Sequence, residues 1–222
     1  MKLIIGNRNY SSWSLRAWLV LRHAGIAFDE ELAPLSGPGW RENLRARSPS
    51  GRVPVLVDGD LVIPETLAII EYAAELRPDA GIWPEDRAGR ALARAAASEM
   101  HAGFADLRRE APMNLRGAHA GKVDADRVAG DLRRIETLWA GLLERSGGPY
   151  LFGAFSAADA MYAPVATRLR TYDLPASDTA QLYVEAIYAL PVFQDWYAEA
   201  VKEPWVVDDD EIDAIRARAG GA

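Results

Sequence analysis

Apolar positions along the 222 residues follow two different periods, and the change from one to the other divides the chain. Leu3-Ile4-Ile5 is a short unbroken run closed by Gly6, which predicts a buried strand over residues 2–6. Ala17, Leu21 and Ala24 then recur at helical spacing, predicting a helix over 13–24 that stops at Gly25. Ala27 to Leu32 predicts a second strand, and "SGPGWRENLRARSPSG" reads as loop with one helical turn around Arg41 to Ala46. "RVPVLVDGDLVI" places two β runs around Asp58-Gly59, a hairpin signal. Glu65 to Leu76 predicts the next helix, closed by Pro78. Residues 1–77 therefore read βαβ, β-hairpin, α: an α/β domain with a small mixed sheet.

A Pro- and Gly-bearing linker over 78–87 follows, and beyond it the period-two signal is gone. Alanine-rich segments Ala88 to Arg109 and Val123 to Arg145 predict long helices, with others around 157–171, 178–189 and 191–201. Residues 88–222 thus form an all-α domain, with the acidic "DDDEID" near its end expected as a solvated terminus or the start of a last helix.

Composition narrows the function. Half the residues are hydrophobic and 26% are charged, an ordinary globular balance. A net charge of −7 argues against a nucleic-acid surface, which needs a basic stripe. No stretch has the ~18–20 apolar residues of a membrane span. Met1-Lys2 leads straight into a strand, so a cytoplasmic protein is expected. There are no cysteines and only three histidines, without H-E-x-x-H spacing, so no metal is expected. Serine-hydrolase G-x-S-x-G and phosphate-binding glycine motifs are also missing.

Three stretches stand out, the first two for their chemistry and the third for folding: "SSWSLRAWLVLRHAGI", "SPSGRVPVLVDGDLVIPETLAIIEY" and "FGAFSAADAMYAP". In the first, Ser11, Ser12 and Ser14 crowd a helix start where one capping hydroxyl suffices. In the second, Pro54 stands where a strand should begin pairing, a place proline resists because it lacks an N–H. Glu65-Thr66 then opens a helix whose N–H groups attract a carboxylate, with Glu65 able to take an ammonium beside it. A plain N-cap by Thr66 would use the same end. The third stretch fits a capping box, Ser156 with Asp159, stapled by Phe155.

Together and in this order the stretches resemble the cytosolic glutathione transferases of serine type, with the zeta (maleylacetoacetate isomerase-like) and theta classes as nearest analogies. The resemblance implies a thioredoxin-like first domain, glutathione as co-substrate and a homodimer. It implies Ser11 as the donor to the glutathione sulfur, with Ser12 the runner-up. Glutathione binding is implied for Ser12, Arg16, Arg52, Val53, Pro54, Glu65 and Thr66, the Val53-Pro54 bond being cis so that the Val53 backbone pairs with the tripeptide as an added strand would. Trp13 replaces the cysteine of zeta-type enzymes. Absence of cysteine excludes the branches that form mixed disulfides with glutathione. A hydrophobic electrophile is expected between the domains, against Met100, His101, Phe104 and Met113, residues that equally suit an interhelical core. The implied activity is conjugation. A glutathione-dependent isomerase or peroxidase, and a binding module that lost turnover, are the alternatives.

Overall fold

The computed structural model describes residues 1–220, with side chains described through Ala217. Strand β1 (Lys2–Ile5) lies inside a four-stranded sheet of order β2-β1-β3-β4. It runs parallel to β2 (Asp29–Leu32) and antiparallel to β3 (Val55–Asp58), which pairs with β4 (Leu61–Ile63) across the Asp58–Leu61 turn. Gly59 supplies the positive φ, +57°, that this turn needs at its first central position. Strand alternation sorts the apolar run: Leu3 and Ile5 face the larger core with α1 (Ser12–His23) and α3 (Thr66–Leu76), and Ile4 faces Leu44 of α2 (Trp40–Arg47) on the other side. That double burial is why β1 reads as an unbroken apolar stretch.

Helices α4 (Arg87–Ala102), α5 (Ala105–Glu110), α6 (Ala125–Ser146), α7 (Ala157–Tyr172), α8 (Asp178–Ala189), α9 (Pro191–Ala200) and α10 (Ile212–Gly220) form the second half. Helix α7 is buried on every face, and packs on α1 from the first half and on α4 and α8 from its own. Ala157, Ala158, Ala160, Ala163 and Ala166 are 0–1% exposed and let those neighbours approach closely. The expected capping box is formed: Asp159 accepts from the backbone N–H groups of Leu151 and Ser156, the Ser156 hydroxyl and the Tyr183 hydroxyl. Burial pushes the Asp159 carboxyl up to about 6 against the pull of these donors. The architecture is a thioredoxin-like α/β domain followed by an all-α domain, as the pattern of elements predicts.

One expectation is corrected, and one of two alternatives is selected. The single helix over Ala88 to Arg109 is broken at Gly103-Phe104, where Phe104 adopts the left-handed conformation at φ +57° and its ring packs on Tyr162 at 6.2 Å. A Cβ on Gly103 would sit 2.8 Å from the Glu99 carbonyl oxygen, so the sharp exit from α4 needs glycine there. The acidic C-terminal stretch does begin a helix, yet it is not simply solvated. Glu211 accepts the Tyr10 hydroxyl and an Asn114 amide, and Asp210 turns inward toward the domain cleft.

Candidate active site between the domains

Ser11 is the N-cap of α1: its hydroxyl donates to the Ser14 Oγ at 2.8 Å and accepts from the Ser14 N–H at 3.4 Å. Ser14 in turn accepts the N–H of Gly6 at 3.1 Å, tying the helix start to the end of β1. Ser12, the first helical residue, is half-buried, and its hydroxyl has no hydrogen-bond partner among the described residues. Thus one serine caps, one braces the strand and one is left facing outward.

Ser11 and Ser12 open onto a cavity of about 660 Å³ between the two domains. On the sheet side it is walled by Tyr10, Trp13, Leu35, Trp40 and Leu44, and by Gly51, Arg52 and Val53. The Val53–Pro54 bond is cis, and Val53 lies just outside the β1–β3 pairing, which ends at Ile4 with Val55. On the helical side stand Ala105, Arg108 and Arg109 of α5, then Pro112, Met113, Arg168 of α7 and Asp210. Of the residues expected from sequence, Ser11, Ser12, Arg52, Val53 and Met113 therefore meet on one cavity.

The others fall elsewhere. Met100 and Phe104 are 0% and 6% exposed and belong to the core, so they are not the pocket wall expected of them. His101 turns to Glu65, with its Nε2 2.9 Å from Oε1, and meets the Trp13 ring edge-on at 5.1 Å. The cap of α3 is Glu65, whose carboxylate accepts the Ala68 N–H, rather than Thr66. Thr66 is buried and donates to the Trp13 carbonyl at 3.3 Å, which places this helix end directly behind the serine turn. Pro54 is buried behind Val53.

Arg16 is also behind the cavity wall rather than on it. It is wholly buried, its Nε donates to the Met161 carbonyl at 2.8 Å, and its guanidinium lies 4.4 Å from the Trp13 ring centre. Arg108 lies 5.0 Å from the centre of the same ring, so Trp13 is held by two cations. Burial, then the neighbouring Arg168 and Arg108, hold Arg16 well below the ordinary arginine range. Burial alone lowers Arg108, and burial followed by Arg108 brings Arg168 down to about 10. Facing them, Asp210 is raised to about 6 by burial, with Arg168 pulling the other way. Tyr10, beside Ser11, is engaged by Glu211 and by Arg116 at 3.0 Å; burial first, then Glu211, raises it above the ordinary phenol range.

Arg108, Arg109 and Arg168 were not singled out by the sequence pattern, because arginines at helical spacing look solvent-facing. The signal that locates the first two is the glycine at 103, which ends α4 and redirects the next turn. For Arg168 it is the mostly apolar and small run Ala160 to Thr167 that leads up to it in the same helix.

A sheet that presents a cis-proline edge and a serine-capped helix start to a cleft, closed by a helical layer, defines the two-domain thioredoxin-like class. Residues 10–76 match the family model for the glutathione S-transferase N-terminal domain. Across 202 residues the chain is 27% identical to a probable maleylacetoacetate isomerase of Vibrio cholerae, covering 87% of this chain and 94% of that one. A zeta-class glutathione S-transferase of Euphorbia esula is 31% identical over 156 residues, 68% of this chain and 66% of its own. The theta-class glutathione S-transferase of Xanthomonas axonopodis pv. citri, solved with glutathione bound, superposes with a TM-score of 0.66 at 25% identity, covering 92% of this chain and 98% of that one. The chain belongs to the cytosolic glutathione transferase family, and zeta-class members are among the relatives it resembles.

Proposed function

We propose that the protein is a glutathione transferase that lowers the pKa of the glutathione thiol at the α1 N-terminus and directs it at an electrophile in the interdomain cavity. The observation that carries this reading is the meeting of Ser11, Ser12 and the Val53 edge on that one cavity. The residues present fit glutathione. Val53 leaves an unpaired strand end for the cysteinyl backbone, and the start of α3 offers N–H groups for the γ-glutamyl carboxylate with Glu65 for its ammonium. Arg52 stands at the same edge, available to a carboxylate.

The thiol is activated by donors that prefer its charged form. A free thiol titrates near ~8.5. A hydrogen bond to a charged acceptor contributes roughly 1.5–3 kcal/mol, and one pKa unit is about 1.36 kcal/mol. Ser11 is the assigned donor. A thiolate is a stronger acceptor than the Ser14 hydroxyl that Ser11 now serves, so the Ser11 proton swings to sulfur and Ser14 can donate to Ser11 in its place. Ser12 is the competing donor.

A second reading is favoured by the cavity's charges. Four arginines, Arg52, Arg108, Arg109 and Arg168, face one carboxylate, Asp210, where a hydrophobic electrophile was expected. An acid substrate suits such walls, and the isomerase relatives act on one by name. Assaying a panel of electrophiles, peroxides and cis-enone acids with glutathione separates the readings: turnover of aryl halides supports conjugation, and turnover of cis-enone acids alone replaces it with isomerisation.

Thr66→Ala is expected to weaken glutathione binding by about 1–3 kcal/mol if its hydroxyl leaves the Trp13 carbonyl for the γ-glutamyl carboxylate. Calorimetry on the folded variant checks this, and an unchanged affinity removes Thr66 from the site. The protein is also expected to form a homodimer. Leu61 and Val62 on the edge strand β4, Leu76 on α3 and Leu92 on α4 are 39–46% exposed, an apolar set that a second copy would cover. Light scattering should give twice the chain mass at micromolar concentration; a single-chain mass refutes the dimer.

A further inference from the structure

The turn that delivers the serines is held from the far end of the chain. Glu203 is 6% exposed and follows α9, yet its carboxylate accepts the backbone N–H of Arg8 at 2.8 Å and that of Asn9 at 3.2 Å. These are the two residues before Tyr10, in the turn closed by bonds from the N–H groups of Tyr10 and Ser11 to the Asn7 carbonyl. Without the carboxylate both N–H groups would lose this acceptor, the Asn9 N–H in a buried position and the Arg8 N–H in a partly buried one.

We propose that Glu203 is a positioning residue for the thiol-activating serine, acting through the Arg8–Asn9 backbone. The proposal rests on the reading that this serine serves glutathione. Glu203 touches neither the cavity nor the reacting atoms; it fixes the direction in which the turn leaves β1, and so where the Ser11 hydroxyl points. The second domain grips the same turn at other points: the Arg116 N–H donates to Asn9 Oδ1 at 2.8 Å and the Trp196 indole to the Arg8 carbonyl at 3.1 Å. Of these contacts from the second domain, Glu203 is the one that offers a side-chain acceptor to two successive N–H groups, those of Arg8 and Asn9, which sets the rotation of both peptide planes. The helical domain thereby does more than wall the electrophile side. It holds the donor of the first domain in line.

Geometry and charge make opposite forecasts for Glu203→Gln, which is what makes the idea testable. Removing a nearby negative charge by itself favours the thiolate and lowers its pKa. Replacing one acceptor oxygen by an amide sets N–H against N–H, turns the peptide planes and takes the serine out of line, which raises it. The expected result is a bound-thiol titration displaced upward from wild type. With it should come a kcat/KM for conjugation lower by about tenfold or more and a KM for glutathione within a few-fold, since small misplacements of a catalytic group act on rate.

Tyr183→Phe, which removes a bond to Asp159 far from the turn, is the stability control and should leave the titration in place. If Glu203→Gln does not fold, Asn9→Ala loosens the same turn from its own side chain and should give the same upward displacement. A titration that stays put or moves down in the folded variant overturns the positioning role. So does the same upward shift in Tyr183→Phe. Ser11→Ala and Ser12→Ala run alongside separate this from the reading beneath it. If wild type does not lower the thiol pKa, or neither serine moves it, the glutathione reading and the Glu203 role fall together. If a serine moves it and Glu203→Gln does not, only the latter fails.

Discussion

Ser11→Ala is expected to slow conjugation about ten- to a hundredfold near neutral pH at fixed glutathione, the loss of a hydrogen bond contributing roughly 1.5–3 kcal/mol to the thiolate. Affinity for glutathione should stay within a few-fold, because the Val53 edge and the α3 end are untouched. The thiolate absorbance of bound glutathione should titrate about one to two units higher in the variant, the same energy read as a pKa. Ser12→Ala should do far less. Ser14→Ala leaves the Gly6 N–H and the Ser11 hydroxyl without their present acceptor and should act mainly on helix stability. If Ser12→Ala raises the bound-thiol pKa and Ser11→Ala leaves it alone, the roles of the two hydroxyls are exchanged, which the free Ser12 hydroxyl would readily accommodate. If none of the three variants moves the titration, the cluster is a helix start only, and a binding module without turnover becomes the better account.

The largest loss of stability is expected from Asp159→Ala. This carboxylate is 0% exposed and receives four donors, from Leu151, from Ser156 twice and from Tyr183. Alanine removes the N-terminal box of α7 and strands those donors in the interior, each at about 1–3 kcal/mol when no water replaces the partner. Even allowing for relaxation, a loss of about 4 kcal/mol or more follows, in the range reserved for broken buried networks. Urea unfolding of the variant should show it as a lower midpoint with an unchanged slope, or as failure to fold. A loss under about 1 kcal/mol would mean that water or rearranged hydroxyls satisfy the donors. The effect should spread beyond the helical half, since α7 carries the Met161 carbonyl that holds Arg16 of α1.

How much of this was legible in the sequence depended on whether the determinants were local. The hairpin was, because Asp58-Gly59 supplies its own turn conformation. The Ser156–Asp159 box was, because its partners are three residues apart. The serine-bearing helix start and the proline before β3 were, because each disturbs a regular pattern within a few positions. The break at Gly103-Phe104 was not: alanine and arginine keep helical spacing on both sides, and a lone glycine does not forbid a helix. The arginine wall was hidden for the same reason. The C-terminal acids were hidden differently. Glu203 and Glu211 meet partners 194–201 residues away, and nothing in their own neighbourhood distinguishes a buried carboxylate from a solvated one.

The break between α4 and α5 has a consequence for how the protein can change. Helix α5 is six residues long, is anchored by the fully buried Leu107 and by a 2.9 Å bond from its N–H to Asp131, and presents Arg108 and Arg109 to the cavity. Because Gly103 and Phe104 end the preceding helix, the six residues do not inherit their orientation from α4, whose buried face supports the core. They form a short unit anchored by the leucine and its acceptor, and exchanging Arg109 changes the charge of the cavity wall without disturbing Trp13, which Arg108 helps to hold. The charge that this wall presents can therefore vary through one short turn while the Ser11 cap of α1 stays in place.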